Sequence, residues 1–180
     1  MGSLRHAMPK ELYAAIPEIA DLTQHRPRDD EDAMDFLFRL RSSTTPEEAV
    51  TFTAFAALPQ MAVWWGYECI RSLPEAIEAR DRDLLALIAA WTAQPTNDLR
   101  HRTMEVSLYA PVRSPAVMLG LAVGWSGGSI APNDPAPVPA HRAPRSINSA
   151  ILSGLARAPL SERSVRLARI ITLAESLCRS

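Results

Sequence analysis

From Ser114 to Pro132 the chain runs without a single charged side chain: Ser-Pro-Ala-Val-Met-Leu-Gly-Leu-Ala-Val-Gly-Trp-Ser-Gly-Gly-Ser-Ile-Ala-Pro. Ser114-Pro115 reads as a helix start, because serine accepts a first-turn amide and proline at the first helical position gives up no hydrogen bond. Ala116, Gly120 and Gly124 then recur every four residues on one face, which allows a second helix to approach closely. A helix that is apolar all round belongs in a core. The remainder of the chain must therefore supply the elements that cover it.

The flanking sequence supplies helices. Leu12, Tyr13, Ile16, Ile19 and Leu22 have helical spacing, with Pro17 as a break. Asp29-Asp30-Glu31-Asp32 reads as the acidic first turn of a helix carrying Met34, Phe36, Leu37 and Leu40, where negative charge meets the positive end of the dipole. Thr45-Pro46-Glu47-Glu48 has the form of a capping box with Thr45 as N-cap, leading a buried helix to about Leu58. Further helices open at Pro59 and Pro74. Another covers Asn97 to Ala110, with Leu99, Met104, Val106 and Leu108 inward, and the last two run from Ser146 to Ala158 and from Ser161 to Cys178. Alternating apolar and polar residues are absent over any useful length, so strands are not expected. The expected fold is all-α: one domain over residues 1–180, a bundle or layered array of about eight or nine antiparallel helices. Residues 1–8 read as flexible, and the run 130–145, with Pro132, Pro135, Pro137, Pro139 and Pro144, reads as an extended surface strap.

Net charge is −1, which offers no long-range attraction to nucleic acid or anionic lipid. The charge is segregated, however. Residues 1–90 hold nine basic and fifteen acidic side chains, and residues 91–180 hold ten and five. Packing of the two halves against each other accounts for this, and a salt-dependent homodimer is the alternative. The charge-free runs Ala49 to Tyr67 and Ser114 to Asn133 are too interrupted to span a bilayer. Cys69 and Cys178 stand without a second metal ligand, and the N-terminus lacks the apolar segment of a signal peptide, so a reduced cytoplasmic setting is expected.

Few residues point to chemistry. Gly124-Trp125-Ser126-Gly127-Gly128 matches the G-x-S-x-G nucleophile elbow, with Asp134 and His141 following in hydrolase order, but an elbow needs a strand before its serine and here a helix precedes it. The glycines are better read as a helix C-terminus with a left-handed residue. A third reading makes the amides of Gly127, Gly128 and Ser129 an anion nest served by Arg100 or Arg102. Arg100, His101 and Arg102 form a basic knot, suited either to an ion pair with the acidic half or to a partner's carboxylate or phosphate. Trp64 and Trp65 are adjacent and cannot share an environment, so one of them is a candidate for a groove or interface. Only His101 and Glu105 have metal-helix spacing, which is too little for zinc, and no cofactor motif is present.

Trp91, Pro95 and Arg100, followed by the run from Leu121 to Pro132 with its Trp-Ser-Gly-Gly-Ser turn, resemble an uncharacterised family of small all-helical bacterial proteins, a domain of unknown function. The resemblance rests on residues 60–160. Members of that family are sometimes encoded near type VI secretion genes, which implies an accessory or adaptor role and carries over no catalytic residue. The expectation is a non-enzymatic protein that binds another protein, with small-molecule or anion binding as the alternative and hydrolysis at Ser126 the weakest reading.

Overall fold

The computed structural model describes residues 2–180, and among them the regular structure is helical, interrupted only by isolated bridges between Leu4 and Ala57 and between Ser129 and Pro137. Helix α1 (Pro9–Ala15) stops where Pro17 brings no amide, and a 3-10 turn (Pro17–Asp21) continues it. Helix α2 (Ala33–Arg41) begins later than the acidic run suggests. Asp32 is its N-cap, accepting from the Asp35 amide at 2.8 Å, while Glu31 turns inward and receives the Arg39 guanidinium at 2.7 and 2.8 Å. Two of the four acids thus have specific partners.

Helix α3 (Glu48–Ala56) corrects the capping box. Thr45 does not cap it, because residues 46–47 form a turn and the helix opens at Glu48 itself. Helices α4 (Pro59–Arg71), α5 (Arg82–Ala93), α6 (Asn97–Tyr109), α7 (Pro115–Gly124), α8 (Arg142–Ala156) and α9 (Arg163–Cys178) complete the array. All residues of α3 and all but Met118 of α7 are buried. The two form the centre: α7 lies between α6 and α8 and also meets α4 and α5, while α3 lies against α2, α8 and α9. Phe36 and Phe52 meet edge to face at 4.9 Å, and Trp65 is fully buried with its indole N–H donating to the Ile170 carbonyl at 3.3 Å.

Charge segregation is answered in part within the chain, although Arg41 pairs with Glu175 in the opposite sense and the remaining pairs among the described residues join side chains of the same half. Arg166 pairs with Glu75, Arg157 with Glu78 and His141 with Glu18, each a base of the second half on an acid of the first. Two segments, the N-terminus and the proline run, depart from expectation. Residues 3–5 are hydrogen-bonded to the end of α3, Arg5 donating its amide to Ala56 at 2.8 Å and Leu58 returning one to Ser3 at 2.8 Å; Met1 lies outside the described residues. The proline run is not an extended strap either. It folds back so that Ser129 bridges Pro137, and α8 has begun by Arg142, with Ala143 and Pro144 buried in its first turn. Among the described residues no helix is long and apolar enough to cross a membrane.

Candidate functional site

The Ser114-capped helix and its glycines were the first candidates, and their geometry is a packing joint. Ser114 accepts from the Val117 amide at 3.2 Å, with Pro115 behind it, as the sequence predicts. Across the joint, α6 presents Arg100, Thr103, Met104 and Ser107, and those four are its buried residues. A Cβ at Gly120 would overlap the Ser107 hydroxyl, and one at Gly124 would overlap Met104. Thr103 and Ser107 can face a helix this near because they are small, and their hydroxyls turn back onto the Leu99 and Thr103 carbonyls at 2.6 and 2.7 Å. Val106 and Leu108, expected inward, are 41% and 48% exposed. At Thr103 and Ser107 small size, not hydrophobicity, suits the residue to the buried face of α6.

Arg100 closes the joint. Only 4% exposed, it sends Nη1 to the carbonyls of Gly124 at 2.9 Å and Ser129 at 2.6 Å, while Nε reaches Asn97 at 3.4 Å and Nη2 lies 3.0 Å from the His101 ring. The expected ion pair is replaced: among the described residues no carboxylate pairs with Arg100, and the C-terminal carbonyl of α7 takes the charge instead. Burial draws the Arg100 pKa below its ordinary value without discharging a guanidinium at neutral pH. Gly127 is a glycine because Arg100 lies across it, where a Cβ would overlap the guanidinium. Neither Gly127 nor Gly128 has a positive φ, so the left-handed helix end expected here does not form.

The elbow residues do not assemble. Ser126 donates its hydroxyl to the Ala122 carbonyl at 2.6 Å, and Asp134 accepts from the Ala136 amide at 2.9 Å. His141 faces Glu18 at 3.3 Å and lines a cleft that Ser126 does not. Trp65 is core, and Trp64 is half-buried and packed against that core. Among the described residues no group of three or more potential metal ligands gathers.

Arg102 points elsewhere, into a groove of about 810 Å³ between the start of α5 and the end of α6. Its walls carry Leu84, Leu87, Val106 and Val112, and Tyr109 stands at its rim 83% exposed. Asp81 also lines it, 5% exposed, with one carboxylate oxygen buried and accepting no hydrogen bond among the described residues. Sequence reasoning missed this groove because it assigned Val106 and Leu108 to the core. The signal was present in Leu108-Tyr109-Ala110-Pro111-Val112, an apolar run extending past the end of a helix.

A model of a family of unknown function (DUF6931) matches residues 36–178. That span includes the α6–α7 joint and the groove. No match exists among the curated proteins compared or among solved structures.

Proposed function

The chain belongs to this family of unknown function, and from that premise we propose that it is a non-enzymatic, cytoplasmic protein-binding accessory that docks a partner protein in the α5–α6 groove. One observation carries the reading: an exposed tyrosine stands at the rim of a groove walled by Leu84, Leu87, Val106 and Val112. Exposed aromatics over apolar pockets are the usual anchors of protein interfaces, and contiguous apolar surface of this kind marks a binding face. The likeness of the Trp-Ser-Gly-Gly-Ser region to small bacterial helical proteins supports a place beside a secretion apparatus of type VI. Ser126, whose hydroxyl is held by its own helix, takes no part.

The test compares co-purification from the native host by the wild-type chain and by the Val106→Asp, Tyr109→Asp double variant. Both substituted positions are exposed, so folding should survive. A secretion component retained by the wild type and lost by the variant is the expected result. Recovery of identical partners by both chains would remove the groove from the interface, and a wild-type chain that retains no protein at all would end the reading.

A further inference from the structure

We infer that a second cleft, between α7 and α8, is a binding site for a small amphipathic anion: a phosphate, sulfonate or carboxylate head on a flat apolar body. The inference is independent of the groove and goes beyond protein binding. Arg113 comes from the segment before α7, and Arg142 and Arg145 come from α8; all three line one cleft of about 800 Å³. None of them pairs with a carboxylate among the described residues, and no carboxylate lines the cleft. Arg113 spends one donor on the Ser107 carbonyl at 3.0 Å, and His141 at the edge faces Glu18.

The placement of these cations is electrostatically adverse. Arg142 and Arg145 occupy the opening turns of a 15-residue helix whose first turn holds no acid, so positive side chains sit at the positive end of the dipole. Elsewhere the chain distributes its charges sensibly, with Glu31 on Arg39 and Glu75 on Arg166. An arriving anion would relieve the repulsion among three guanidinia, and guanidinium groups grip planar oxyanions well. The rest of the cleft is suited to an apolar body. Met118, Leu121 and Trp125 line it, and the Arg142 guanidinium lies 5.7 Å from the centre of the Trp125 ring. Its volume falls in the usual range for small-molecule sites.

The test is calorimetric titration with 1-naphthyl phosphate, using 1-naphthol as its uncharged twin and inorganic phosphate as its bare head. One molecule should bind per chain, with an affinity that falls as salt rises. Naphthol and phosphate should each bind about tenfold more weakly or worse, and Arg142→Ala with Arg145→Ala should cost a similar factor. Both arginines are exposed, so unfolding midpoints should barely move, and Trp125→Leu provides a second variant with the charges intact. The groove variant Tyr109→Asp should bind like the wild type, which separates this site from the proposed docking surface. The inference fails if the wild type does not bind naphthyl phosphate, if naphthol binds equally well, or if the double arginine variant retains full affinity. Uptake on phosphatidylglycerol vesicles in the absence of naphthyl phosphate binding would likewise overturn it in favour of a lipid surface.

Discussion

Helices α3 and α7 are the two buried rods of this protein, and each ends against a buried charge of the sign its end attracts. At the N-terminus of α3 the Glu48 carboxylate accepts from the Gln24 and His25 amides at 2.6 and 3.0 Å, from the His25 ring at 2.7 Å and from the Thr45 hydroxyl. At the C-terminus of α7 the Arg100 guanidinium donates to the Gly124 and Ser129 carbonyls. Anion at the amide end and cation at the carbonyl end are both favoured by the dipole. The difference lies in the charged groups. Both ends also meet an imidazole, His25 at Glu48 and His101 at Arg100, but the charge at Glu48 is a carboxylate that acid can discharge, whereas Arg100 is a guanidinium with no acid beside it. A buried charge at a helix end thus needs satisfied hydrogen bonds more than it needs a counter-ion, and acid should loosen the Glu48 end.

Removing the cation should do the most damage. Arg100→Ala leaves two carbonyls without their donor and empties a packed space, and should cost about 3 kcal/mol in urea unfolding. Arg100→Lys should recover less than half of that, because an ammonium lacks the planar fork. Full recovery by lysine would show that charge at the end of α7 matters and geometry does not.

Glu48→Gln should cost about 2 kcal/mol at neutral pH, since the amide keeps the shape but loses the charge-assisted bonds. Burial alone would raise the Glu48 pKa, yet the bonds from Thr45, His25 and Gln24 outweigh it and hold the pKa below the ordinary glutamate value. A depressed pKa means that its stabilisation is complete above the ordinary value of about 4.3 and is lost as pH falls through the lower folded value. Unfolding measured down that range should therefore be less pH-dependent in Glu48→Gln than in the wild type. Equal slopes would contradict the contrast between the two ends.

The adjacent glycines sharpen the picture at smaller scale. Gly127→Ala pushes a methyl into the Arg100 guanidinium and should cost about 1 to 2 kcal/mol. Gly128→Ala meets nothing within 4 Å and has no positive φ, so it should be neutral or stabilising by about 0.5 kcal/mol through the unfolded chain. Equal effects at both positions would mean that the turn, and not the arginine, demands glycine.

Much of this protein was readable residue by residue. Ser114-Pro115 and the four-residue recurrence of Ala116, Gly120 and Gly124 announced a buried, closely approached helix, and α7 is that helix. The helix start at Asn97 and the proline starts at Pro59 and Pro115 were placed correctly. These signals are local: they depend on which amides a side chain can reach within one turn. The candidate sites fared differently. Arg100 and Arg102, two residues apart and chemically identical, face a buried joint and an open groove, and nothing in their own sequence distinguishes them. Glu48 carried the pattern of a local cap and spends its oxygens on residues 24 and 25 as well.

By itself, the sequence determined the all-helical class, the two charge-free runs and most helix starts, because propensity, capping and periodicity act over a few residues. The tertiary structure alone decided which face of α6 is buried, why Gly127 must lack a side chain, and that Arg113 meets Arg142 and Arg145 across one cleft. Those outcomes depend on how near two helices come and on which distant carbonyl or arginine fills the space between them, distances that no local pattern encodes.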